Sequence, residues 1–389
     1  MKIVHVANFY GPNSGGIKTT LHELGRGYLK HGHEFIYIVP GTQFLTEDTP
    51  YGRKISLPSF ILPGSGSYRI IKSNSDLRAL IDDLQPDRLE ISDRFTLTSL
   101  GMWARAREIP TVVFSHETLR GLANRFLPRF LPRKTIVDWH NGRLSRSFDN
   151  VIATTEFAAA EFRDLGVNNL VKIPLGVDLI NFSPDHRSLA VREELAQSAD
   201  VLLVHCGRLS PEKEPQRSIQ TLIELQNRGI NARLIIIGTG PMWKKLRLLA
   251  KDLPIDMLGY IADRKRVAAI LASADFALAP GPLETFCLSA LESISSGTPV
   301  VASQSSAVGE FLHLSEKDPA GAVAADDEKS FADQIERMIG RPLMRKSARK
   351  SAESLPWEKT IQLMLQLHGI DGVGNQAPVD SEVQKLKVA

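Results

Sequence analysis

Residues 2–39 read as strand, loop, helix and strand in unbroken order. Lys2–Ala7 alternates as a buried strand does, and Asn8–Gly16 is a loop that holds Pro12, Gly15 and Gly16. Ile17–His31 carries Leu21, Leu24, Tyr28 and Leu29 on one helical face, and Gly32 ends it. Glu34–Val39 is the next strand. This is the unit of a doubly wound sheet, a frame whose ligands sit outside the carboxyl ends of the strands. The pattern recurs. Strands are expected at Arg88–Ile91, Thr111–Phe114, Asn150–Thr154, Leu170–Ile173, Leu202–Cys206, Arg233–Ile237, Asp256–Tyr260, Phe276–Ala279, Val300–Ser303 and Ala322–Ala325. Residues 41–75 break the rhythm and read as loop, with Pro50, Pro58, Pro63 and glycines at 64 and 66; Tyr68 and Arg69 there are candidates for holding an acceptor.

A chain of 389 residues has room for two or three domains. Its 43% hydrophobic and 23% charged residues are those of a soluble globular protein. A net charge of +3 is too weak to argue for a nucleic-acid partner. Two cysteines, Cys206 and Cys287, allow no disulfide framework and no C-x-x-C, which suits a reducing cytoplasm. The opening MKIVHVANFY lacks a charged n-region and a cleavage site, so it reads as a first strand and not as a signal peptide. No run of eighteen apolar residues offers a membrane span.

The densest chemistry lies in PGPLETFCLSALESISSGTPVVAS, residues 280–303. Glu284 follows Pro280-Gly281-Pro282 at the end of a strand, and Glu292 comes eight residues later. On one helix that spacing is roughly 12 Å, too long for two carboxylates to share a proton and suited to an extended ligand. The amides of Thr285, Phe286, Cys287 and Leu288 are expected to open the helix and face a phosphate. Two glutamates on a helix are more often solvated surface, and it is the strand-end position that argues otherwise. A second charged pair, Arg208 and Lys213, sits five residues apart after the strand Leu202–Cys206. Two cations there can neutralise a departing diphosphate; alone they also read as solvated loop charges. Gly238-Thr239-Gly240 invites a dinucleotide reading, but Trp243 stands where a third glycine would be. Cys287 has no evident base and reads as a small buried helix residue.

Together these residues resemble the family 4 retaining glycosyltransferases, the group that includes glycogen synthase, sucrose synthase and the phosphatidylinositol mannosyltransferases. The matching parts are Glu284-x7-Glu292 with SGTPVVAS, Gly207-Arg208-Leu209 leading to Lys213, and the linker P-x-G-V-D-x-x-x-F-x-P at residues 174–184. The resemblance implies the GT-B fold, two Rossmann-like domains facing each other across a cleft. It places an acceptor domain at 1–178, a hinge at 179–198, a donor domain at 199–356, a helix at 357–368 that returns to the first domain, and a mobile tail at 370–389. It implies roles as well. Arg208 and Lys213 hold the diphosphate, Glu284 and the amides after it position the sugar, and Glu292 takes the ribose hydroxyls. Gly259 and Ile261 line the base pocket. Gly15 and Gly16 face the diphosphate and acceptor, and His116, at the end of the strand Thr111–Phe114, faces the sugar; Asp93 and Arg94 are expected to face the same place. Ser306-Ala307-Val308-Gly309 departs from the double glycine that relatives often carry.

No cofactor and no metal is expected, since the nucleotide-sugar is a substrate and no Asp-x-Asp triplet exists. The expected donor is GDP-mannose, with UDP-glucose or UDP-GlcNAc behind it and an inactive nucleotide-sugar-binding protein as the other reading. The expected acceptor is a lipid-linked or cell-envelope glycan. Residues 119–134, LRGLANRFLPRFLPRK, mix five cations with aromatic and aliphatic side chains and hold no acid. Two readings stand: a peripheral contact with an anionic membrane on its cytoplasmic face, or a helix packed on its own domain. Pro128 and Pro132 break any long helix there.

Overall fold

In the computed structural model the described residues are 1–11, 15–62, 68–128, 130–315 and 317–370. Pro12, Pro63, Arg129 and the tail beyond Ile370 therefore lie outside them. The chain forms two compact units, Met1–Leu175 with the segment from Trp357 onward, and Gly176–Pro356.

The first unit is built on strands β1 (Lys2–Val6), β2 (Glu34–Gly41), β3 (Leu45–Thr49), β4 (Gly52–Ile61), β5 (Arg69–Ile71), β6 (Arg88–Ile91), β7 (Thr111–Ser115), β8 (Asn150–Ala153) and β9 (Leu170–Lys172). They pair in the order β3-β4-β2-β1-β6-β7-β8-β9, with β5 on β4. All contacts are parallel except β3 with β4 and β4 with β5. Residues 41–75, expected as loop, thus supply three strands. The reason is exposure: β3 is solvent-facing along most of its length, so LTEDT needs no apolar alternation and leaves no signal to read. Within residues 95–108 the helix is Thr98–Arg105 only, because Asp93 accepts from the amides of Phe95 and Thr96 and turns the chain first.

The prolines break the basic stretch into a helix Leu119–Phe126 and a second helix, Arg133–Ser147, that begins after Pro132. The helix Trp357–Leu367 packs on the helix Gly16–Lys30, where Ile361 fills the space left by Gly27. It is tied down at its end by Arg88, which donates to the His368 carbonyl at 2.8 Å.

The second unit carries β10 (Val201–Cys206), β11 (Ala232–Ile237), β12 (Ile255–Gly259), β13 (Phe276–Ala279), β14 (Val300–Ser303) and β15 (Gly321–Ala324) in a wholly parallel sheet ordered β12-β11-β10-β13-β14-β15. Its core strands are continuous apolar runs, as strands covered on both faces must be. The glycines first read for a dinucleotide have a packing role here. A Cβ on Gly238 would stand 1.9 Å from the Gly207 carbonyl oxygen, and one on Gly240 2.3 Å from that of Leu209. The loop after β11 therefore lies directly against the loop after β10, joined by the Leu209 amide to the Thr239 carbonyl at 3.0 Å.

Gly238 also has φ +130, a region closed to side chains. Gly238→Ala is expected to lower unfolding stability by about 2 kcal/mol or more, read by chemical denaturation. A variant as stable as the parent would show that the two loops are not packed this way.

Candidate active site

β10 has β11 on one side and β13 on the other, so the crossovers leave it in opposite directions and a crevice opens at the carboxyl ends of β10 and β13. Both ends carry charge. β10 runs into Gly207 and Arg208, then a 3-10 turn Pro211–Lys213. Glu214 takes a left-handed φ of 45° and sends the chain into the helix Gln216–Asn227. β13 runs into Pro280–Pro282 and Glu284. Lys213 Nζ and Glu284 Oε2 lie 2.7 Å apart, with the lysine side chain 34% exposed and the carboxylate 14%. Gly281 is wedged beside both: a Cβ there would lie 3.2 Å from Glu284 Cγ and 3.3 Å from Lys213 Cα. Burial alone would lower the ammonium pKa of Lys213, but the Glu284 carboxylate outweighs it and holds the group well above its ordinary range. Lys213 is thus a fixed cation at neutral pH.

Arg217, which the sequence did not single out, fastens this corner from beneath. Its guanidinium donates to the Pro280 carbonyl at 2.6 Å and pairs with Glu214 and Asp326. The loop Ser306–Gly309 has a clear part despite its unusual sequence, since the Ala307 amide donates to the Glu284 carbonyl at 2.8 Å.

The stretch after Glu284 differs from expectation. Cys287 adopts a left-handed conformation, φ 64°, and the helix is Leu288–Ser295. A left-handed residue cannot lie within a right-handed helix. Thr285 and Phe286 are therefore buried loop, Leu288 alone of the four lies in the helix, and Cys287 is its cap and not an interior residue. Glu292 is only about 6 Å along the helix from Leu288, so the roughly 12 Å helical span between the glutamates does not exist. Glu292 Oε1 instead accepts from Arg264 Nη2 at 2.9 Å, and Arg264 lies over the Phe182 ring at 4.8 Å. Arg264 was missed; its one signal was its place just beyond β12, behind the helix-capping Asp263. Gly259 ends β12 with φ +72, and Ile261 follows, partly buried, at the carboxyl end of the same sheet. Arg208 is also partly buried.

The first sheet has its own switch point, at β1 and β6. Gly15 caps the helix Gly16–Lys30 after β1. His116 follows β7, its Nε2 3.0 Å from Ser92 Oγ and its ring stacked 5.5 Å from Phe114. Burial, and after it the nearby His5, pushes its pKa down to about 4, so the imidazole is neutral at pH 7. Tyr68 packs edge-on against Phe9, and Arg69 donates to Ser59 at 3.3 Å. Asp93 is spent on the turn. Arg94 does not face a ligand: it is 1% exposed and bonds Ser115 and Glu161, each at 2.7 Å, and the Glu117 carbonyl at 2.8 Å. Its two Nη groups carry the bonds while its buried Nε has none, and through them it shapes the loop that presents His116.

Two parallel-sheet α/β units with cations and carboxylates gathered at a switch point are the frame of a GT-B glycosyltransferase. Comparison with known proteins agrees. Residues 188–355 match the model "Glycosyl transferases group 1", and residues 14–180 the model "Glycosyltransferase Family 4". The chain is 43% identical over 379 residues, 97% of its length and 98% of the relative's, to a GDP-mannose-dependent alpha-(1-6)-phosphatidylinositol dimannoside mannosyltransferase of Mycobacterium tuberculosis. It is 25% identical, over 77% of its length and 72% of the relative's, to a GDP-mannose-dependent alpha-mannosyltransferase of Corynebacterium glutamicum. Among solved structures it superposes on sucrose-phosphate synthase from Thermosynechococcus elongatus with a TM-score of 0.76 at 18% identity, covering 95% of this chain and 98% of that one. The protein belongs to the family 4 glycosyltransferases and is a glycosyltransferase.

Burial, with Glu284 beside Cys287 and Glu292 beside Cys206, pushes both thiols up to about 12. Alkylation by iodoacetamide at pH 8 is expected to run about a thousandfold slower in the folded protein than in urea. Fast labelling of Cys287 in the native protein would reopen its reading as a nucleophile.

Proposed function

We propose that the protein transfers mannose from GDP-mannose to a phosphatidylinositol dimannoside or a kindred lipid-linked glycan, with retention of the anomeric configuration. The near-full-length relative that carries those words in its name is the observation on which donor and acceptor rest. The chemistry rests on Lys213 and Glu284. Lys213, with Arg208 on the same loop, balances the charge that develops on the diphosphate as the sugar leaves. Glu284 holds the lysine in place; with donor bound, Glu284 and the backbone after it hold sugar hydroxyls. Glu292, oriented by Arg264, takes the ribose. Gly259 and Ile261 offer backbone to the base. Gly15, Gly16 and His116 serve the diphosphate and sugar from the first unit. The reading needs no metal, because the two cations supply the positive charge, and no protein nucleophile. The acceptor attacks from the side the nucleotide leaves, and a departing phosphate oxygen takes its proton.

The same reading gives the basic segment a membrane role. No described helix is long and apolar enough to cross a bilayer. Phe130 is 85% exposed between the two helices, and beside it Arg120, Arg133 and Lys134 line a cavity of about 250 Å³ with Ala123, Asn124 and Val137. Trp139 and Ile136 are exposed on the second helix. Cations with exposed aromatic groups suit the anionic cytoplasmic leaflet, with the aromatic rings at headgroup depth.

Incubation with GDP-mannose and phosphatidylinositol dimannoside in detergent is expected to yield a trimannoside with an α linkage. Turnover with UDP-glucose or UDP-GlcNAc alone would replace the donor, and none with any sugar nucleotide would favour a binding protein. Lys213→Ala is expected to lower kcat/KM by about a hundredfold or more with the fold intact, and Glu292→Ala to weaken GDP binding about tenfold by calorimetry. Sedimentation with phosphatidylglycerol vesicles should fall sharply for Arg133→Glu with Lys134→Glu. Equal pelleting of parent and variant would remove the membrane role.

A further inference from the structure

The helix Arg133–Ser147 holds a glycine that its packing does not ask for. Gly25, Gly27 and Gly101, on other helices of this unit, permit a close approach: a Cβ would stand 2.1 Å from the Tyr51 carbonyl oxygen at the first, 2.3 Å from Ile361 Cδ1 at the second and 2.3 Å from the Ser147 carbonyl oxygen at the third. At Gly142 it would meet only the guanidinium of Arg146, at 3.3 Å, which is the far end of a flexible side chain. Glycine is a poor helix former, so one that makes room for no neighbour is explained by the space it leaves open. That space is a cavity of about 400 Å³ between the helix and the turn at residues 165–169. Its size is that of a small-molecule site. The helix ends just before β8 and the turn just before β9, so the cavity lies towards the amino ends of these strands, whereas Gly15 and His116 follow carboxyl ends.

The side chains around Gly142 are polar without a net charge. Asp138 brings a carboxylate, Arg146 a guanidinium, Asn168 and Asn169 their amides, and Trp139 an indole that is 60% exposed. The cationic cavity nearer the start of the same helix is its opposite. Two of these groups are held ready. Asn169 Nδ2 donates to the Ser145 and Phe148 carbonyls, each at 2.8 Å, which fixes the amide and leaves Oδ1 as an acceptor. Lys134 donates to Asp138 Oδ2 at 2.6 Å, while the buried Oδ1 has no partner among the described residues. Arg143 lies over the indole at 5.7 Å and does not line the cavity, so it braces the ring from outside. A phosphate would meet a carboxylate here and a single cation. A pyranose finds what it needs. Its C–H face rests on the indole, its hydroxyls give to the oxygens of Asp138 and Asn169, and they accept from Arg146 and Asn168. We infer that this cavity is a second sugar site, which binds a neutral pyranoside of a glycan away from the transfer chemistry. It would keep a glycan-bearing acceptor beside the enzyme between turnovers, raising the concentration that the transfer site meets. The choice of mannose as that pyranoside rests on the proposed acceptor; the cavity and its lining do not.

The test reads binding and needs no turnover. Protein carrying ¹⁵N-tryptophan is titrated with α-(1→6)-mannobiose, and the Trp139 indole signal is identified by its loss in Trp139→Tyr. In parallel, the protein is sedimented with phosphatidylglycerol vesicles that hold or lack phosphatidylinositol dimannoside. The disaccharide is expected to shift the Trp139 signal saturably, and the mannosylated vesicles to carry down more protein than the plain ones. Gly142→Leu fills the cavity with a better helix former and should weaken both effects about tenfold or more, with the melting temperature kept. Asn168→Ala should weaken them by a smaller factor, about that of one hydrogen bond. A Trp139 shift with equal pelleting assigns the site to soluble glycans; extra pelleting that Gly142→Leu abolishes, without a shift by the free disaccharide, assigns it to sugars borne on lipid. A shift with isomaltose and none with mannobiose keeps the site and removes mannose, and with it the support for the proposed acceptor. No Trp139 shift with either disaccharide and equal pelleting overturns the inference. So does a Gly142→Leu variant that binds as the parent does, since the sugar is then held elsewhere.

Discussion

A parallel sheet whose crossovers change direction must leave a gap, because no connection covers the carboxyl ends of the two strands at the reversal. In the second unit that gap falls at β10 and β13. It decides which of the chain's many loops meet: the one after Cys206 and the one after Ala279, far apart in sequence, end up sharing the Lys213–Glu284 contact. The rest of that corner follows from bringing two loops so close. Gly281 stands where a Cβ would press on Glu284 and Lys213, Arg217 fastens the Pro280 carbonyl from below, and Gly238 and Gly240 let a third loop, after β11, lie against the loop after Cys206.

The charges at this corner are already answered by charges of the protein. Lys213 is held by Glu284, Arg264 by Glu292, and Arg217 by Glu214 and Asp326. Fixed, paired charges cost little reorganisation when a ligand's charge replaces one partner, whereas unpaired cations in a half-buried loop would be destabilising and would attract any anion. A nucleotide-sugar fits this economy. On the proposed reading it brings diphosphate to the cations and hydroxyls to the carboxylates, so each protein group exchanges one partner for another.

Much of this was legible in the sequence, and the failures share a cause. The strands of the second sheet are short apolar runs ending in Gly, Pro or charge, and a pattern that strong survives without neighbours. β3 did not, because an exposed antiparallel edge tolerates Glu and Asp in place of alternation, and β4 beside it is fully buried over only a few residues around 55–57. The helix after Glu284 was placed too early because nothing in TFC announces a left-handed cysteine. Arg94 looked like a ligand contact for the same reason that Arg208 did, as a cation just past a strand. Only Glu161 and Ser115, one distant in the chain and one on the neighbouring strand, distinguish a buried strut from a site residue.

The two switch points use the same geometry to opposite ends, and register is what separates them. In the second sheet the chemistry lies beyond the strands, on loops. In the first sheet it reaches back into the strands, because His5 and Glu90 are direct partners across β1 and β6 and so project from one face. A slip of one residue would turn His5 to the other face and take one of its three donors from a buried carboxylate. The pairing of these two polar residues therefore locks the register of the strands that carry the first unit's site. The helix ending at His368 adds a second lock, since its histidine reaches the same carboxylate from 278 residues further along the chain. A group buried to hold a sheet in place is then also in reach of the loop at that sheet's end, through His5 and Ser92 to His116.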